Sequence, residues 1–161
     1  MELIQEFIIP EEVYAGEQVV REACRGVIFD ENNMMPLIYV AKQKHHKLPW
    51  WWIEIGENKE AALTRELQEE TWCEAKIIKE IGITIESNST RKQTSYCYIG
   101  RVIKKSKPNF TKWEQERWYE LQRVTIDEAI VLLQSESREK EAAKRVQQRD
   151  LAILKKAKAM L

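Results

Sequence analysis

Residues 58–71 of this chain, NKEAALTRELQEET, have little choice but helix, and they lie between stretches with little choice but strand. Asn58 is a good N-cap, Glu57 and Glu60 suit the positive end of a helix dipole, and the residues that follow are nearly all strong helix formers. Leu63 and Leu67, with Thr71 one turn further, give the helix a narrow inward face. On either side β-branched and aromatic residues take over. Residues 19–29 and 37–43 read as two antiparallel strands joined by the turn DENNMMP, with a short third strand near 52–55. Residues 76–86 and 94–103 read as another pair, separated by the polar turn SNSTRK. Thr125 and Glu128 fit a capping box ahead of the apolar run 129–133. Residues 138–161 are helix-prone and basic, with eight Lys/Arg against three Asp/Glu. Val146, Ile153, Ala157 and Leu161 are expected to pack that last helix on a sheet, leaving a solvated basic face. A docking surface for an acidic partner is the other reading of that face. Strands, helix, strands, helix, helix predicts an α+β or mixed layered architecture. No repeat or linker breaks the pattern, so residues 1–161 are read as a single domain.

Charge narrows the function classes. The 26 basic and 26 acidic residues cancel, so no global field draws the chain to nucleic acid or to a membrane surface, and no stable nucleic-acid complex is expected. No apolar run approaches the ~20 residues of a membrane helix. The first residues, MELIQEF, lack the basic-then-apolar pattern of a secretory leader. Three cysteines, Cys24, Cys73 and Cys97, are too few and too scattered for a disulfide framework or a zinc site. A reducing cytoplasm is the expected setting. Cys24 and Cys97 fall in strand patterns and read as small core residues, and Cys73 marks the helix exit.

The chemistry is expected in residues 56–70, GENKEAALTRELQEE. Glu66, Glu69 and Glu70 are spaced i, i+3 and i+4, which sets three carboxylates on one helix face within about 6 Å of one another. Such repulsion is tolerated when a cation sits among the carboxylates, and hard divalent ions such as Mg²⁺ or Mn²⁺ prefer oxygen ligands. Arg65 and Glu57 are candidates to orient those ligands. By spacing alone, a solvated acidic face neutralised by water, Lys59 or Arg65 explains the pattern equally well.

The segment resembles the signature of the Nudix hydrolases: Gly, five residues, Glu, seven residues, Arg-Glu, an aliphatic residue, any residue, Glu-Glu, any residue, Gly, an aliphatic residue. Glu57 is followed after seven residues by Arg65-Glu66-Leu67-Gln68-Glu69-Glu70, so every charged position is in register. The approach, Leu48-Pro49 then Ile53-Glu54-Ile55-Gly56-Glu57, is similar as well. The resemblance implies an α/β/α sandwich with a mixed sheet, a Nudix helix and a C-terminal helix. It also implies Mg²⁺-dependent hydrolysis of a nucleoside diphosphate linked to another moiety, such as a nucleoside triphosphate. On that basis Glu66, Glu69 and Glu70 are the implied metal ligands. Glu69, Glu66, Arg65 and Glu57 are the implied catalytic group. Glu114, Glu116 and Glu120 are candidates for a further glutamate outside the box, their other reading being a charged loop and strand start. The implied partner is a small nucleotide, and because dimers are frequent among similar proteins a homodimer is compatible with the resemblance.

Both signature glycines are absent. Six tryptophans outnumber five glycines, where average usage of ~7% glycine would give roughly eleven. Trp51 and Trp72 occupy the two signature glycine positions, and Trp50 and Trp52 complete a run where the family has two or three glycines. A residue just past a helix commonly adopts the left-handed region, which costs a side-chain-bearing residue on the order of 1 kcal/mol or more. A glycine-rich loop also lets backbone approach phosphate. Three readings stand: an active parent altered at its glycines, a degenerate member of low activity, or a stacking platform in which Trp50 and Trp51 hold a nucleobase at about 1–3 kcal/mol. The first and second predict reduced turnover. A non-catalytic nucleotide-binding module is the runner-up function, and an interaction protein using the tryptophan patch is a third. His45 and His46, in the lysine-rich KQKHHK, read as a solvated loop, with phosphate contact as the alternative. Gly16, Gly26, Gly82 and Gly100 read as turn or bulge positions.

Overall fold

The computed structural model describes residues 1–8, 18–53, 58–59, 73–105 and 119–161. Its strands are β1 (Leu3–Ile8), β2 (Val19–Phe29), β3 (Met35–Val40), β4 (His45–Lys47), β5 (Trp50–Trp52), β6 (Cys73–Ser87), β7 (Arg91–Lys105) and β8 (Tyr119–Val124). Its helices are α1 (Ile126–Ser135) and α2 (Glu141–Ala159), and a 3-10 turn, Ala41–Gln43, follows β3. A mixed five-stranded sheet runs β1-β6-β7-β2-β5, and a smaller antiparallel sheet runs β4-β3-β8.

The pair expected from residues 19–29 and 37–43 is not a hairpin. β2 lies parallel to β7 from Val19↔Arg91 to Phe29↔Arg101, and its other edge takes β5. β3 joins β4 and β8 in the second sheet. The turn itself forms as expected, with Asp30 Oδ1 accepting from the amides of Asn32 and Met34, but the strands it joins splay into different layers. β3 also ends at Val40, because residues 41–43 tighten into the 3-10 turn and Lys44 follows at φ 52°. The β6–β7 hairpin is longer than expected, and Asn88 Oδ1 closes its turn by accepting from the amides of Thr90 and Arg91. Gly82 sits at a bulge of β6 with φ +144°, where a Cβ would meet the Glu2 carbonyl oxygen.

Alternation along β2 divides the core between the two faces of the sheet. Val27 and Phe29 face the principal core with Cys97 and Ile99 of β7, Leu133 of α1, and Ile153, Leu154 and Ala157 of α2. Cys24 and Ile28 face the other side, packing with Ala75 and Tyr98. The Cys24 thiol donates to the Lys59 carbonyl oxygen at 3.3 Å, and the Lys59 ammonium lies 3.6 Å from the centre of the Tyr96 ring. The segment expected to be the signature helix thus starts on one face of the sheet, and α1 and α2 cover the other. Cys24 and Cys97 are fully buried, as expected of core residues. Thr125 and Glu128 form the expected capping box at the start of α1. Leu161 is an exception to the expected packing: it lies beyond the end of α2 and is exposed.

Candidate functional site

The sequence-derived candidates fall mostly outside the described residues. Glu57, Arg65, Glu66, Glu69, Glu70, Trp72, Glu114 and Glu116 all lie there. Trp50 and Trp51 belong to β5, where their backbones register with Arg25 and Cys24 of β2. Glu120 is exposed on β8, paired in register with Tyr39. Among the described residues no three His, Cys, Asp or Glu side chains gather as a metal-binding group.

A cavity of about 740 Å³ lies on the principal-core side, bounded by β2, β6 and β7, by residues 42–47, and by the segment entering α2. Its floor is charged. Arg25 is buried at the position where the alternation of β2 aims it, with Val27 and Phe29, at the principal core. Burial, reinforced by the neighbouring Arg149 charge, lowers its pKa to about 10, against the pull of Asp150 and Glu86, so it stays cationic at neutral pH. Arg149 is held by Glu86 at 2.9 Å and by Asp150 at 2.8 Å. Burial works against the Arg149 charge, but these two carboxylates outweigh it and raise its pKa. Asp150, fully buried, also accepts from the Leu48 amide at 2.9 Å. That bond joins α2 to the chain just before β5.

Only the first half of KQKHHK, residues 42–44, is a solvated turn. His45 and His46 belong to β4 and are 9% and 8% exposed. Pairing with β3 sets His46 opposite Tyr39, with ring centres 4.8 Å apart. The His46 ring meets Glu136 Oε1 at 2.5 Å through Nδ1 and Gln122 Oε1 at 3.0 Å through Nε2. Arg138 donates to Glu136 and to the His46 carbonyl oxygen, tying the stretch between α1 and α2 to β4. His45 lines the cavity, and burial, then the nearby Arg138 charge, lowers its pKa to about 4. It is neutral at pH 7. The basic face expected along residues 138–161 is accordingly only partly solvated, because Arg138 and Arg149 are buried.

Sequence reasoning did not single out Arg25, Arg91 or Arg149. Arg25 had a legible signal: an arginine at the same parity as Val27 and Phe29 in a strand-forming run must either break the alternation or lie under a covering layer. Arg91 and Arg149 had none, since their neighbourhood exists only after residues 86–93 and α2 meet.

No protein-family model matches the sequence, and no curated protein matches it. Solved structures do match. The chain is similar to the E. coli ORF135 protein, 16% identical over 89% of this chain and 91% of that one, with a TM-score of 0.61. It is similar to the MutT protein from Methanosarcina mazei Go1, 14% identical over 84% and 95% of the two chains, with a TM-score of 0.58. It is also similar to a Nudix hydrolase from Nitrosomonas europaea, 18% identical over 87% and 89%, with a TM-score of 0.62. The mixed sheet, with a helical layer on one face and the start of the signature segment on the other, is the Nudix fold.

Proposed function

We propose that the chain is a metal-dependent hydrolase that cleaves the diphosphate linkage of a nucleoside diphosphate joined to another moiety X, a nucleoside triphosphate or a related nucleotide. The observation that carries this reading is the Glu57…Arg65-Glu66…Glu69-Glu70 spacing on a chain with the Nudix fold. Proteins of this fold include an ADP compounds hydrolase and a UDP-X diphosphatase, 17% and 16% identical to this chain. The same reading makes residues 1–161 one domain, working on small nucleotides in a reducing cytoplasm.

A donor set of three carboxylates suits Mg²⁺, with Mn²⁺ as a substitute, and Glu66, Glu69 and Glu70 are the residues assigned to hold it. Bound there, the ion would neutralise charge on the phosphate oxygens. The protein's own groups do the rest. Water attacks one phosphorus, a bridging P–O bond breaks, and a box glutamate takes the proton of the attacking water. Arg65 and Glu57 orient the carboxylates.

Tryptophan at the signature glycines favours a second reading, a nucleotide-binding module that kept the fold and lost turnover. A release assay with Mg²⁺ and a nucleotide panel separates the two. Hydrolysis is expected, falling at least about a hundredfold in a Glu69→Gln, Glu70→Gln variant. Thermal stabilisation by nucleotide with no release supports the module instead. Replacing Trp50, Trp51, Trp52 and Trp72 by glycine is expected to raise turnover and to tighten nucleotide binding, since glycine at the signature positions lets backbone approach phosphate. A reversion that moved neither would remove the steric explanation.

A further inference from the structure

Nine lysines and arginines and only two glutamates line the cavity on the helical side of the sheet. Two of those cations, Arg25 and Arg149, lie in the floor with Glu86 and Asp150, where the charges balance. Thr84 and Ser95 face each other two residues further along β6 and β7 than Glu86 and Gln93, on the same side of the sheet. Both are buried, and neither hydroxyl has a hydrogen-bond partner among the described residues, so the floor rests on polar side chains. The excess charge is at the rim. Lys42 and Lys44 reach it from the 3-10 turn, Arg91 from β7, and Lys140 and Arg145 from the start of α2. None of the five forms an ion pair among the described residues, and Glu139 is the one carboxylate beside them. Lys140 is also the N-cap of α2, which has no side-chain cap, and Ala142 and Ala143 of its first turn line the cavity. A cation at that end opposes the helix dipole, and an anion between them suits both. Further along, the basic helix is largely neutralised within the chain: Lys144 pairs with Glu141, Lys156 with Glu2 and Lys158 with Asp127. The free charge is thus focused in a concavity of about 740 Å³, the size of a small-molecule site, rather than spread over a face that an acidic protein could cover.

We propose that this cavity is a binding site for a small polyanion carrying two or more phosphate groups, a ligand other than the nucleotide of the proposed reaction. Phosphate oxygens match both the sign and the hydrogen-bond donors of the rim. Five cations against one carboxylate exceed the charge of a single phosphate, about −2, so two or more groups are needed to neutralise them. The site stands whether or not the chain hydrolyses nucleotides. Isothermal titration of the full chain with a metal chelator present tests it, using inorganic tripolyphosphate and, separately, fructose 1,6-bisphosphate. Binding at one site per chain is expected, and the tighter of the two probes tells an inorganic phosphate chain from an organic bisphosphate. A Lys44→Glu, Arg91→Glu variant, altered at two exposed side chains, is expected to bind about tenfold or more weakly with its thermal melt retained. The same charge change at Lys76 and Lys155, exposed and outside the cavity, is expected to leave affinity within about twofold, as is Glu69→Gln, Glu70→Gln in the signature. Equal weakening by the two charge-reversed pairs reports only the overall field and overturns the site. Binding lost in the signature variant and kept in the rim variant places the anion at the signature and overturns it as well. Uptake of a ten-residue polyglutamate with neither phosphate probe bound makes the rim a docking surface for an acidic chain instead. No binding of either phosphate probe overturns the proposal outright.

Discussion

His45 carries its consequence in its surroundings. Burial, with Arg138 beside it, holds the folded pKa near 4, below the ordinary 6.5. Between those values the unfolded chain binds a proton that the folded chain does not, so stability rises with pH across that window. The contribution is fully present above about pH 6.5 and is lost as pH falls toward about 4. Urea midpoints measured from pH 7 to pH 4.5 should therefore decline, and a His45→Gln variant should decline less steeply. Equal slopes would mean that His45 does not titrate in this range. Asp150 is a buried carboxylate that faces two buried arginines. Removing it in Asp150→Ala takes from the buried Arg149 one of its two carboxylates and leaves the Leu48 amide without its acceptor, so a loss of about 3–5 kcal/mol is expected in denaturant titration.

Among the secondary-structure elements, α1 has the most legible start. Thr125 Oγ1 accepts from the Glu128 amide at 3.2 Å, and Glu128 Oε2 accepts from the Thr125 amide at 2.7 Å, satisfying two donors that the helix cannot. Thr125→Ala should cost about 1 kcal/mol, seen as a lowered melting temperature, while Thr125→Ser should restore most of it. α2 differs, because Lys140 at its N-cap makes no side-chain cap. That helix depends on tertiary contacts: Gln147 donates to the Leu133 and Glu136 carbonyl oxygens, and Arg149 reaches Glu86 of β6. Its buried stripe, Ile153, Leu154 and Ala157, was partly readable from apolar spacing. Its role as one wall of a cavity was not, since Arg138 and Arg149 read as solvated until β4 and β6 meet them.

Across the molecule, the principal core joins both sheets to both helices. Val27 and Phe29 come from one sheet, Leu37 and Val124 from the other, and Leu133 and Ile153 from the helices. Truncating Ile153 to alanine should cost about 2–5 kcal/mol, and because every layer shares that core, fluorescence and circular dichroism should report a single shifted transition. Two separated transitions would show that the small sheet unfolds on its own. The polar cavity is left at the margin of this core, where the start of α2 stands over the carboxyl end of β6 and the beginning of β7.

The reach of each signal along the chain explains what could be read in advance. The signature spacing, the capping box, the β6–β7 turn and the α+β order are local: each is set by residues a few positions apart, through helix and strand periodicity or a side chain bonding its own backbone. The partners of β2 and β3, the burial of His45 and His46, and the convergence of Arg25, Arg91 and Arg149 are not local. They depend on residues 19–29 lying parallel to 91–101 and on α2 crossing above them. A charge on a single strand or helix does not reveal which distant charge will face it. That pairing, with the desolvation and field that follow from it, arose only when the chain closed on itself.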